Sequence, residues 1–354
     1  MPTKSRPTVV DLFCGAGGAS YGFKKLGFEM VLGLDIRPDA VRTFAYNMRP
    51  REVIVDDIKN HDGKELLKVV GDCDVLIGCP PCQGFTRLNR KGPNDPRNDL
   101  VYLFGKISMT IAPKVLVFEN VYGVLLARNR VYFEGFLDLL RKNGYSYMWD
   151  VLDMADYGVP QRRRRLILVA VKDGSKVEPL LPPKTHARPD EAGRLGLKPW
   201  RTVRDAIGDL PPLEPGEADP KDPLHAARRH GAKTLEIIRN IPKNGGSRKD
   251  LPPELVLRCH AKHDGHYDVY GRMRWDAPAP TLTSGCTNPS RGRFIHPEQD
   301  RGITLREAAR LQTFPDDYVF FGARTSVEYQ IGNAVPPLFS ERLAETVKRL
   351  LNSI

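Results

Sequence analysis

Short apolar runs alternate with amphipathic stretches through the first half of the chain, the pattern expected of a sheet whose strands are joined by helices. Thr8 to Phe13 is apolar and ends in a glycine-rich turn, and Ser20 to Leu26 can open a helix. Glu29 to Leu34 reads as a second strand closed by Asp35. Pro38 follows where the first turn of a helix tolerates it, with Val41 to Asn47 behind it. Glu52–Val55, Asp74–Ile77 and Val115–Phe118 are further buried-strand candidates, and Leu100–Ile111 is the helix between the last two. Strands alternating with helices predict an α/β fold with a doubly wound, mostly parallel sheet. Such sheets bind ligands at the carboxyl ends of their strands, where Phe13, Asp35, Asp57, Pro80 and Glu119 fall.

The periodicity weakens after Val171. Prolines become frequent between Pro179 and Pro223, and the stretch to about Gln299 reads as a smaller, irregular second domain. Trp200, Ile207, Ile237, Ile238, Tyr270 and Trp275 supply apolar mass for a modest core of its own. Thr304 to Phe314 predicts a helix whose N-cap Thr304 has Glu307 three residues on, a capping-box spacing. Ser340 to Leu351 reads as a closing amphipathic helix. The expected division is residues 1–171 with 327–354 as one domain, and 172–326 as the second domain and hinge.

Charge narrows the class of partner. Over 354 residues the chain carries a formal net charge of +11, an excess that favours polyanions such as nucleic acid or an anionic membrane surface. No apolar stretch approaches the ~18 residues of a membrane span, so no membrane partner is expected. Lys4 and Arg6 ahead of Val9 and Val10 mimic a signal peptide only until Asp11 interrupts the run. The six cysteines lie at irregular positions, unlike a secreted disulfide framework, and predict a cytoplasmic protein.

Four segments carry candidate chemistry. Phe13-Cys14-Gly15-Ala16-Gly17-Gly18 sits between a strand and a helix, the context of a nucleotide-type cofactor, and Asp35 lies 20 residues after Gly15, where a carboxylate can accept from ribose hydroxyls. A dehydrogenase would look similar here, and the absence of a following Gly-Lys-Ser/Thr disfavours ATP or GTP. In Cys79-Pro80-Pro81-Cys82-Gln83-Gly84, two prolines stiffen the approach to Cys82, which suits a positioned nucleophile. Glu119 ends the apolar strand Val115–Phe118, and so apolar a setting favours a carboxyl able to donate a proton. In Gln161-Arg162-Arg163-Arg164-Arg165, strand alternation lets two arginines point inward, and the spacing Gln-x-Arg-x-Arg selects Arg163 and Arg165.

Together with Gln330-Ile331-Gly332-Asn333-Ala334-Val335-Pro336 and Arg306 to Asp316, these segments make the chain resemble, over almost its whole length, the S-adenosylmethionine-dependent cytosine-5 DNA methyltransferases of prokaryotic type. That resemblance implies a Rossmann-like methyltransferase fold with a smaller target-recognition domain. It implies catalytic roles for Cys82, Glu119, Arg163 and Arg165, and methylation of carbon 5 of a flipped-out cytosine through a covalent Cys82 adduct. It implies a cofactor site of Phe13, Gly15, Ala16, Gly17, Gly18, Asp35, Ile36, Asp57, Ile58, Pro80, Leu100, Asn333 and Val335. Gln83, Thr281, Arg272 and Arg274 would meet double-stranded DNA, with Arg291 and Arg293 near them. A cognate restriction endonuclease in the same system and a monomeric enzyme are further expectations. Thr86 stands where the DNA enzymes mostly have serine and tRNA-modifying relatives often have threonine, so a tRNA cytosine methyltransferase of the same fold is an alternative, as is a catalytically silent DNA-binding relative. Cys259, His260, His263 and His266, with Cys286 farther off, are metal-ligating types, but their spacing matches no compact site and no metal is expected.

Overall fold

The computed structural model describes residues 6–81, 95, 98–126, 129–173, 180–261 and 268–354. Seven strands form one sheet: β1 (Thr8–Asp11), β2 (Glu29–Asp35), β3 (Glu52–Val55), β4 (Val75–Gly78), β5 (Val115–Asn120), β6 (Tyr145–Asp153) and β7 (Arg164–Lys172). Their spatial order is β3-β2-β1-β4-β5-β7-β6. The first five run parallel, while β7 runs against both of its neighbours, β5 and β6. The helices α1 (Gly18–Lys25), α2 (Pro38–Met48), α3 (Gly63–Val70), α4 (Asp99–Ile111) and α5 (Arg130–Lys142) complete this half. The fold class is the expected α/β one.

Strand alternation splits the core into two layers. Val9, Val75, Ile77, Val115, Val117, Ile167 and Val169 face one side with Phe23, Phe44 and Leu343. Val10, Leu12, Leu76, Leu116, Phe118, Leu166 and Leu168 face the other, against Phe104 of α4 and Phe133 and Phe136 of α5. A sheet buried on both faces needs near-continuous apolar strands, which is why these runs read so clearly in the sequence.

The stretch 180–303 carries short helices and a parallel pair of two-residue strands, His186–Ala187 and Lys198–Pro199. Ile237, Ile238, Ile241, Tyr270 and Ile295 form a small core there. Val203, Ile207, Met273, Leu282 and Phe294 instead join the larger core shared with the sheet. The helix Leu305–Leu311 begins at Thr304 with both bonds of the capping box to Glu307, and the chain closes with the helix Pro337–Leu351 packed against α1. Among the described residues no helix is long and apolar enough to cross a membrane.

Candidate active site

The carboxyl ends of β1, β2, β4 and β5 open on one cavity of about 370 Å³. At the end of β1 the chain turns through Gly15 and Gly17, whose positive φ values of 47° and 90° suit glycine. A side chain at Gly18 would put its Cβ 2.3 Å from the Val335 carbonyl, so only glycine lets the C-terminal segment close on this turn. Asp35, at the end of β2, accepts the Gly15 N–H on one carboxylate oxygen and the Arg37 N–H on the other, each at 3.0 Å. Each oxygen keeps a lone pair for a ligand hydroxyl. Burial raises the Asp35 pKa against the pull of these two N–H groups.

The wall nearest β5 carries the Glu119 carboxylate. Alternation along β5 places Glu119 on the face shared with Val115 and Val117, and Glu119 pairs with Ile167 of β7. Because β7 is reversed, its first residues lie at the carboxyl end of β5, and Arg165 Nε reaches Glu119 Oε1 at 3.0 Å with both side chains largely buried. Burial holds the Glu119 pKa above the ordinary range, opposed by the charges of Arg165 and then Arg163. A carboxyl so placed stays protonated to higher pH than an exposed one.

Arg163 is fully buried and donates to the carbonyls of Leu282 (3.0 Å) and Gly332 (3.2 Å). Arg162 and Arg164 point outward, the former onto Asp153 and the Trp200 ring, the latter towards Tyr122. The inward pair is therefore the one that the Gln-x-Arg-x-Arg spacing selects. Gln161 extends the brace: it accepts the Leu282 N–H (3.0 Å) and donates to Gln312 Oε1 (2.9 Å), whose amide donates to the Ile331 carbonyl. Asn120 Nδ2 donates to the Pro80 carbonyl at 3.3 Å and so ties β5 to the segment that leads to Cys82.

Phe13, Gly15, Ala16, Gly18, Asp35, Ile36, Asp57, Ile58, Pro80, Leu100, Asn333 and Val335 all line the cavity, as do Glu119, Arg163 and Arg165. Gly17 does not. Its Cα packs towards the Tyr318 hydroxyl, Met48 and Phe44, and the Tyr318 hydroxyl bonds the Ala16 carbonyl. Cys82 and Gln83 lie outside the described residues. Arg37, Asp56, Lys59, Val121, Tyr329 and Gln330 also line the cavity and were not anticipated. Tyr329 was within reach of helical spacing, since it precedes Asn333 by one turn on the helix Arg324–Asn333.

The expected DNA contacts divide. Arg272 has no exposed surface and spends its guanidinium on four backbone carbonyls and Asp300, so it is part of the architecture and cannot reach DNA. Arg293 similarly donates to the carbonyls of Gly245, Gly246 and Arg272. Arg274 and Arg291 are exposed, and the Thr281 hydroxyl donates to the Arg162 carbonyl at 2.7 Å. Cys259 is exposed, Cys286 is buried, and His263 and His266 lie outside the described residues. Among the described residues no group of three or more His, Cys, Asp or Glu is arranged to hold a metal.

Residues 7–349 match the C-5 cytosine-specific DNA methylase family. The chain is 39% identical to the Type II methylase M.HgiDII of Herpetosiphon aurantiacus, over 98% of this chain and 96% of that one. It is 34% identical to the Type II methyltransferase M1.HphI of Haemophilus parahaemolyticus, over 97% and 87%. A prophage-encoded Escherichia coli protein described as a DNA modification methyltransferase superposes with a TM-score of 0.69 at 25% identity, over 98% of this chain and 99% of that one.

Proposed function

The chain belongs to the C-5 cytosine-specific DNA methylase family and is a DNA (cytosine-5) methyltransferase, and on that premise we propose that it methylates carbon 5 of a cytosine rotated out of a specific DNA sequence. The observation that carries this reading is the Glu119–Arg165 pair, 3.0 Å apart, on the wall of the cavity that Asp35 enters from β2.

S-adenosylmethionine fits the donor set of that cavity. Asp35 offers free lone pairs to ribose hydroxyls, Ile36 and Ile58 offer apolar surface to the adenine, and Phe13, Pro80 and Leu100 supply the remaining apolar wall. Bound there, it would supply an electrophilic methyl group for carbon 5. The Cys82 thiolate would add to carbon 6, forming a C–S bond, while protonated Glu119 gives its proton to N3 of the base. Arg165 keeps the Glu119 carboxyl facing the base, and Arg163 fixes the loops around it through the carbonyls of Leu282 and Gly332. After transfer, loss of the carbon 5 proton to a base expels the thiolate and N3 returns its proton to Glu119. Rotating the cytosine out of the stack costs a few kcal/mol, recovered from contacts to the flipped base.

Residues 1–171 with 327–354 would hold the cofactor and the catalytic groups, and 172–326 would recognise the target and act as hinge. The Type II names of the relatives support a role beside a cognate restriction endonuclease. The test is labelled methyl transfer from S-adenosylmethionine to duplex DNA and, in parallel, to tRNA, with products digested to nucleosides. We expect 5-methyldeoxycytidine from DNA. Product from tRNA alone would overturn the DNA reading in favour of the one that Thr86 suggests. Cys82→Ser is expected to abolish turnover and retain cofactor binding, and full activity in that variant would remove the covalent adduct from the mechanism.

A further inference from the structure

We propose that Arg37, held by Tyr329, closes the outer end of the cavity over the adenosine part of the bound cofactor and so governs its retention; this rests on the cavity being the S-adenosylmethionine site. Arg37 follows Asp35 and Ile36 on the turn between β2 and α2. Its N–H is bound by Asp35, and Pro38 follows at the first helical position, so its backbone is fixed. Its side chain crosses to Tyr329, with the guanidinium carbon 4.0 Å from the ring centroid. Both residues line the cavity from opposite segments, the β2–α2 turn and the helix Arg324–Asn333. These segments already meet nearby, where the Asp39 carboxylate comes close to Gly322.

Two further observations point to a ligand beneath the pair. Arg37 Nε is buried without a hydrogen-bond acceptor among the described residues, an arrangement a protein tolerates poorly. Adenosine brings ribose oxygens and ring nitrogens as acceptors, so a small turn of the guanidinium on the Tyr329 face would satisfy Nε only when the cavity is filled. Ile36 beside it is 61% exposed, an apolar lip that a flat aromatic base would cover. A guanidinium stacked on a ring keeps its charge and its planar donors in one orientation, which a lysine at the same position would not reproduce.

The experiment measures S-adenosylmethionine binding by calorimetry, and KM and kcat on duplex DNA, for the full chain and for Arg37→Ala, Tyr329→Phe, Tyr329→Ala and the double variant Arg37→Ala/Tyr329→Ala. Arg37→Ala and Tyr329→Ala should each weaken cofactor binding about tenfold, within the range of a partly desolvated cation–π contact. Tyr329→Phe should bind like the parent, because the ring and not the hydroxyl holds the guanidinium. The double variant should be no weaker than Arg37→Ala, since one contact is removed twice. The loss should appear in KM for the cofactor and not in KM for DNA. Undiminished binding in Arg37→Ala, losses that multiply in the double variant, or a fall in kcat at saturating cofactor would each overturn the proposal. A parent protein that binds no S-adenosylmethionine would overturn the cofactor reading beneath it.

Discussion

The sheet half and the loop-rich half of this molecule satisfy their backbones by different means. Between residues 8 and 172 the carbonyls are spent in strand ladders and helices. Among the described residues between 180 and 303 long ladders are missing, and buried arginines take their place. Arg272 collects the carbonyls of Ile238, Ile241, His296 and Gln299 at 2.8 to 3.0 Å. Arg301 takes the Leu213 carbonyl and both oxygens of Glu307, itself the capping residue of the next helix. A guanidinium has five donors in a rigid fork, enough to satisfy several strands of irregular chain at once. Some of the basic residues are therefore internal scaffolding, and these two are each matched by a carboxylate.

The contrast can be broken from either side. In the sheet half, Glu119→Gln removes the proposed proton donor and leaves the packing of β5 in place. Turnover should fall by roughly 10²–10⁴-fold, the span of a lost general acid, with the thermal midpoint nearly unchanged. An unchanged rate of methyl transfer would take Glu119 out of the proton path. In the loop-rich half, Arg272→Met nearly keeps the volume, orphans the four carbonyls and leaves Asp300 with Lys243 as its partner. We expect it to cost about 3–5 kcal/mol in denaturant unfolding, as when one member of a buried charged network is removed. Arg274→Ala, on the exposed neighbour, should change stability by no more than about 0.5 kcal/mol. Equal stability of the two arginine variants would mean that the carbonyl brace contributes nothing.

The two halves also differed in how far they could be read from the sequence. Buried strands such as Glu29–Asp35 and Val115–Phe118 are legible because both faces are apolar, whereas Glu52–Val55, expected to be buried, lies at the sheet edge with Glu52 and Val55 exposed. Alternation allowed either pair of arginines inward, and the Gln-x-Arg-x-Arg spacing selected Arg163 and Arg165. The reversal of β7 was not legible. Periodicity carries no direction, yet reversal is what brings Arg165 to Glu119. The neighbouring strand β6 was missed because its residues are largely half-buried or exposed and lack an apolar run. Arg272 misled for the opposite reason. An arginine among loops reads as a surface group, and only the packed structure reveals carbonyls converging on it from residues 238 to 299. The family resemblance located most of the cavity wall, whereas Arg37 meets Tyr329 across nearly the whole length of the chain.

A third, smaller effect separates the two ways of burying charge. Arg272 and Arg301 are buried with acidic partners, but the partners of the buried Asp11 at the end of β1 among the described residues are the Ser20 hydroxyl (2.6 Å) and the Phe13 N–H (3.3 Å). Burial pushes its pKa up to about 7, against those two hydrogen bonds. The folded-state pKa lies above the unfolded value of about 3.9, so the folded protein binds the proton more tightly. The stabilisation is fully present below the unfolded pKa and is lost as pH rises through the folded one. Between roughly pH 5 and roughly pH 8 this one group should cost about 2–3 kcal/mol. Asp11→Asn cannot ionise and should flatten that part of the profile, gaining on the parent as pH rises. The measurement is denaturant unfolding of both proteins across this range, because other titrating groups cancel in the difference. Parallel profiles would mean that Asp11 keeps its charge in the folded protein, compensated by its two hydrogen bonds. An oxygen at the end of β1 would then be cheap to bury, and the acidic partners of the buried arginines would no longer mark a difference between the two halves.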